Sequence, residues 1–186
     1  MQSTDFVVAR NDFKQCKLIE THLPDPGALP DDTLLVKVDR FAFTANNITY
    51  AILGEQLSYW RLFPAPADFG NIPVWGFGDV IVSKNPAVPE GERLFGYFPM
   101  ATHLVIEAGN VSKRGLRDTA AHRQAVAPVY NAYARVANDP ALAVCACDRT
   151  CQRRCRHGEG HCAPARGGPR PGWGPGLARE GGDRLI

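Results

Sequence analysis

At 186 residues the chain is long enough for one domain with a true core plus an appendage. Its net charge of +2 averages two unlike pieces: residues 1–144 hold 13 Lys+Arg against 15 Asp+Glu, a net of −2, and residues 145–186 hold 8 against 4, a net of +4. A mildly acidic body argues against nucleic acid as the partner of the folded part, and the lack of any run near 18 apolar residues argues against a membrane-spanning helix.

Met1–Arg10 has no basic stretch leading into a long apolar one, and the body carries a single cysteine, Cys16. A cytoplasmic protein without a disulfide framework is the expectation. Extended segments are predicted at 5–8, 16–21 and 33–44, the last with Leu35, Lys37 and Asp39 alternating against Leu34, Val36 and Val38. Pro24–Gly27 and Leu29–Asp32 supply turns between them. A short helical turn is predicted over Asn46–Leu53, ended by Gly54.

Further strands are predicted at Trp75–Ser83, at Glu92–Tyr97 after a tight Pro89-Glu-Gly91 turn, and at Ala101–Glu107. Many short strands with Gly/Pro turns imply a barrel or sandwich. From Leu116 to Val136 the apolar period turns helical, with Ala120, Ala121, Ala125, Val129, Tyr130, Tyr133 and Val136 available to one side, and Pro128 kinks or divides it.

Three blocks carry a family likeness: Phe41-Ala-Phe-Thr-Ala-Asn-Asn-Ile-Thr-Tyr50, Pro73-Val-Trp-Gly-Phe-Gly-Asp-Val80 and Gly91-Glu-Arg-Leu-Phe-Gly-Tyr97. In order and spacing they resemble the GroES-like catalytic domain of the medium-chain dehydrogenase/reductase superfamily, closest to an uncharacterised, zinc-free family within it. The resemblance implies a mainly β, barrel-like domain at residues 1–112, a partial connecting helical segment at 113–143 and a disordered tail at 144–186. Full-length relatives would be α/β, NAD(P)-dependent and quinone- or enoyl-reductase-like, acting on a small-molecule substrate. No Gly-x-Gly-x-x-Gly follows a strand here, so this chain is expected to bind no cofactor tightly and to be inactive alone.

Zinc-dependent relatives place a cysteine after the long strand and Gly-His-Glu at the later one. Thr44-Ala-Asn-Asn47 and Gly76-Phe-Gly78 offer no metal ligand there, so no metal is expected. By position the resemblance assigns Asn46 and Asn47 to the cofactor and Thr49 and Tyr50 to catalysis, Tyr50 being the proton donor of the set. Tyr59, Trp60, Phe63 and Trp75 are expected to wall an apolar substrate pocket. The competing reading makes Asn46 and Asn47 helix caps and the aromatics plain core. His103 and His122 stand without a nucleophile or carboxylate at useful spacing.

Residues 145–186 hold eight of sixteen arginines, nine of 18 glycines, five of six cysteines and no lysine. That composition is what a GC-rich gene yields in the wrong frame, and a frameshift near Ala141 is the expectation. The alternative is a binding protein whose Cys/His-rich tail takes metal, nucleic acid or an acidic partner, although Cys145-Ala-Cys147, Cys151-x-x-x-Cys155 and His161-Cys162 fit the grammar of zinc sites poorly. With Trp173, Leu177, Leu185 and Ile186 as its only large apolar residues, the tail has little to bury. Truncation after Ala143 is therefore expected to leave the thermal midpoint unchanged or raised, and a clear fall in a melting scan would make the tail part of the fold.

Overall fold

The computed structural model describes residues 1–139 and 142, all within the first of the chain's two units, Met1–Cys147. The expectations for the tail lie outside the described residues. Strands β1 (Gln2–Ala9) and β2 (Asp12–His22) form an antiparallel hairpin, which the short β4 (Phe69–Gly70) extends into a three-stranded sheet ordered β2-β1-β4. The remaining strands close a barrel in the order β3-β5-β6-β9-β8-β7: β3 is Thr33–Ala42, β5 Pro73–Ser83, β6 Arg93–Pro99, β7 His103–Gly109, β8 Gly115–Asp118 and β9 Ala132–Arg135. Every strand pair is antiparallel. Closure removes free sheet edges over most of the circuit.

β3 sits between β5 and β7, the central place its uninterrupted Leu/Val run suits. Leu34, Leu35 and Val36 are all fully buried, so its first half has core on both faces. Leu34, Val36, Val74, Leu94, Phe98 and Ile106 fill the interior. Interior space is tight: a Cβ on Gly96 would lie 2.4 Å from Tyr133 Cδ1 and 3.0 Å from Ala132 O, so only glycine lets Tyr133 occupy the lumen there.

One helix, α1 (Ala45–Ile52), follows β3. Thr44 caps it: the Thr44 side chain accepts from the amide of residue 47, and the Asn47 side-chain oxygen accepts from the Thr44 amide at 2.7 Å. After the helix, Trp60 is wedged between Gly54 and Gly70, where added Cβ atoms would fall 2.1 and 2.2 Å from the indole. This ring ties the end of α1 to β4.

The segment 113–139 departs from the helical expectation. It supplies β8, two 3-10 turns (Ala121–Arg123 and Pro128–Asn131) and β9, which together close the barrel. The physical reason is Arg123, whose side chain is fully buried. Its Nη1 donates to Asp118 at 2.9 Å and to the Tyr133 hydroxyl at 2.8 Å, Nη2 donates to Tyr130 O at 2.7 Å, and Nε donates to Asn131 Oδ1 at 3.2 Å. A straight helix would carry these partners to different faces.

Removing one member of a buried ion pair leaves the other charge uncompensated, at about 3–5 kcal/mol. Asp118 also accepts from the Ala120 amide at 3.0 Å. Asp118→Ala is thus expected to lower the unfolding free energy by about 3–5 kcal/mol in urea titration. A loss below about 1 kcal/mol would show that the barrel closes without the pair.

Candidate functional site

On β5 and β6 the side chains that face out of the barrel form an aromatic ladder. The cross-strand pairs Trp75↔Tyr97 and Phe77↔Phe95 put ring against ring, and Asp79↔Arg93 puts opposite charges together. Trp75 stacks on Phe95 at 5.8 Å and 19°, Phe77 meets Phe95 at 5.0 Å, and Trp75 meets Tyr97 at 4.9 Å. Trp75, Phe77 and Phe95 are each partly exposed, so the ladder presents ring faces and edges to solvent.

At the lower end Arg93 lies over Phe77 at 5.3 Å and forms ion pairs with Asp79 at 2.8 Å and with Asp39. Hydrogen bonding to Arg93, opposed by partial burial and helped by Arg40, holds the Asp39 carboxyl below its ordinary value. At the upper end four tyrosines meet. Tyr50, from α1, packs edge-on against Tyr59 at 5.0 Å and Tyr97 at 5.5 Å, and Tyr97 lies 4.7 Å from Tyr130. The Tyr59 and Tyr130 hydroxyls share a hydrogen bond of 3.1 Å. The Tyr97 hydroxyl is buried without a hydrogen-bond partner, and burial first, then Tyr50, raises its pKa far beyond the usual tyrosine range.

The residues expected from sequence divide. Tyr50, Tyr59, Phe63 and Trp75 come together in this aromatic group. Trp60 belongs instead to the main core, 6.5 Å from Phe13 and close over Gly54 and Gly70, because the two glycines leave a slot only a flat ring fills. Asn47 is buried, with its amide oxygen on Thr44 and its Nδ2 donating to Pro73 O at 2.9 Å, so its side chain is taken up by the cap and by β5. Asn46 and Thr49 are exposed on the other face of α1. The ladder residues Phe77, Phe95, Tyr97 and Tyr130 were missed. Their signal is the period-2 run Trp75-x-Phe77 facing Phe95-x-Tyr97, legible only once β5 and β6 are paired.

Among the described residues no group of three or more His, Cys, Asp or Glu is placed to hold a metal, and no helix is long and apolar enough to cross a membrane. A family described as "Protein of unknown function (DUF2855)" matches residues 41–155, more than half the chain. The chain belongs to that family. Its matched stretch takes in β5, β6 and α1, and so the whole ladder of this DUF2855 protein. No curated protein matches it. Among solved structures it is similar to the human synaptic vesicle membrane protein VAT-1 homolog-like protein, at 14% identity over 57% of this chain and 33% of that one, with a TM-score of 0.35. It is also similar to the quinone oxidoreductase from Coxiella burnetii, at 15% identity over 56% and 34%, with a TM-score of 0.36. The DUF2855 chain thus matches about a third of the length of each.

The tyrosine group has a pH signature. The bond from Tyr59, with burial adding to it, pushes Tyr130 up to about 12, and burial, partly offset by Arg123, pushes Tyr133 up to about 12, against an ordinary 10.0. A folded pKa above the unfolded one gives stability that is fully present below pH 10 and lost as pH rises through 10 toward 12. Phenolate absorbance at about pH 11 is therefore expected to omit Tyr97, Tyr130 and Tyr133 in the native protein and to include all five tyrosines in urea, with stability falling from about pH 10 upward. Native ionisation of all five together near 10 would contradict the packing.

Proposed function

We propose that this domain is the substrate-side half of a zinc-free, NAD(P)-dependent oxidoreductase of the medium-chain type, with the ladder Trp75, Phe77 and Phe95 as the wall on which a flat ring lies. The observation that carries this reading is Phe77: the position that holds an imidazole ligand in zinc-dependent relatives is here an outward, partly exposed phenyl ring packed at a tilt into an aromatic wall. Such a wall binds π-faces through area burial and offset stacking, and it supplies no Lewis acid. The resemblance of the three sequence blocks to the medium-chain superfamily supports the same assignment.

The nicotinamide group supplies a hydride when bound. This chain's own residues do the rest. Trp75 and Phe95 orient a planar ring against the barrel, and the aromatic group around Tyr50 keeps water from the upper end of the wall. Tyr130, half-buried and bonded to Tyr59, is the rim hydroxyl from which a proton can pass to a developing oxyanion, with Tyr50 beside it as the donor the sequence points to. Asn46 and Thr49 face solvent on α1, where they can meet the rest of a dinucleotide, whereas Asn47 positions the helix. The residues present fit only the ring end of the cofactor. Phosphate amides of the glycine-turn kind are not among those of the site.

A few ring contacts must offset at least about 4 kcal/mol of association entropy, so binding of NADPH by this chain is expected to be weaker than about 1 mM. Saturation-transfer NMR with NADPH should show the nicotinamide protons receiving more saturation than the adenine protons, and Trp75→Ala with Phe95→Leu should abolish the difference. Micromolar binding in calorimetry, or contact through the adenine end, would count against the assignment.

A further inference from the structure

The barrel is closed along most of its length but forks at one place. β7 pairs with β3 only as far as Lys37↔His103, and the last bond across is from the Val38 amide to Thr102 O at 2.9 Å. β3 runs on to Ala42, bonded to β5 through Arg40↔Phe77, Phe41↔Gly76 and Ala42↔Trp75. On its other side residues 39–42 have no backbone partner among the described residues. The segment 100–102 is also held by β1, through Phe6 N to Met100 O at 2.8 Å and Thr102 N to Thr4 O at 3.0 Å. Beyond this apex β1 and β3 part, and a valley opens between them.

The valley is apolar and of ligand size. Its first part, about 570 Å³, is lined by Phe6, Leu18, Val38, Phe41, Phe43 and Met100. A second part of about 520 Å³ shares Phe6 and Phe43 and runs on to Phe13, Lys14 and Ile48. The walls include large apolar side chains left in water: Leu18 is 68% exposed, Phe43 57%, Ile48 49% and Phe41 42%. Asp39 brings no free charge to the middle, since Arg93 and Arg40 hold its carboxylate. Among the described residues Glu20, across from Thr4 and two residues from Leu18, has no ion pair, whereas the other end carries both Lys14 and Asp12.

An unpaired strand edge beside apolar walls asks for backbone donors and acceptors spaced along an extended chain, with apolar side chains at alternate positions. We infer that the valley receives an extended peptide segment of another polypeptide, added antiparallel to the free edge of β3 at residues 39–42. The unpaired Glu20 gives it a direction: a basic residue near Glu20 at its C-terminal end, in a segment of about seven residues at roughly 3.3 Å each. This surface lies along the edge of β3 away from β5, meets the ladder's lower end only at Asp39, and does not rest on the redox reading.

The probe is the synthetic peptide acetyl-Asp-Val-Thr-Val-Thr-Val-Lys-amide with the full chain, read by fluorescence anisotropy of a labelled copy and by amide hydrogen exchange. Slowed exchange at residues 39–42 is the expected sign of strand addition, since side-chain contact alone would leave those amides unprotected. Binding should weaken roughly tenfold or more with Phe43→Asp, with the charge-reversed peptide and with a peptide N-methylated at alternate amides, and should be unchanged by Ile81→Asp, on a strand face remote from the valley. Equal binding by the N-methylated peptide, or no protection at residues 39–42, would overturn the inference. So would protection of the same amides without peptide in a concentration-dependent dimer, which would make a second copy of the chain the occupant.

Discussion

A single buried guanidinium holds the domain in its shape. Arg123 reaches Asp118 behind it and Tyr130, Asn131 and Tyr133 ahead of it, and its plane lies over Phe63 at 4.8 Å. Those partners belong to the ends of β8, to the turn before β9 and to β9 itself, the strands that join β7 to β6. Tyr133 passes the constraint inward by donating to Tyr97 O at 2.8 Å. The barrel's last seam, its central ring and the backbone under the tyrosine group are therefore fixed by one charge that has no access to water. The cost of burying it is offset only while every partner is present.

Crowding inside the barrel decides what appears outside. β5 and β6 turn Gly76, Gly78 and Gly96 inward, where Arg40 O and Phe41, Val36 and Phe98, and Tyr133 respectively leave no room for a Cβ. The alternate positions, Trp75, Phe77, Phe95 and Tyr97, must then point outward. Aromatic surface that a larger barrel could have enclosed is displaced to its wall, and the wall, rather than the lumen, is where a flat molecule can be held.

Much of this was readable from the chain. The alternation at Thr33–Ala42 and the Pro89–Gly91 turn are local, so the strands and the turn at φ +82 for Gly91 fall where their residues place them, and the helix cap, read as Asn46 and Asn47, is made by Thr44 with Asn47. Leu116–Val136 was not, because alanines and valines at helical spacing satisfy a helix as well as two short strands. The residue that decides between them is an arginine, whose burial is a tertiary event. Trp60 and Trp75 look alike in sequence, and what separates them is the pair of glycines around the first and the strand pairing beside the second. The tyrosine group was half visible: Tyr50, Tyr59 and Tyr97 stood in or near recognisable motifs, whereas Tyr130 joins them from the turn that Arg123 holds before β9.

The slot that holds Trp60 sets a rule for divergence. Gly54 and Gly70 lie 16 positions apart in the sequence and press on the same indole from either side. Neither can acquire a side chain while the ring stays, and a smaller residue at 60 would leave a void unless one of them grew. The three positions can change only as a set, so in any lineage that keeps this fold their substitutions should arrive together.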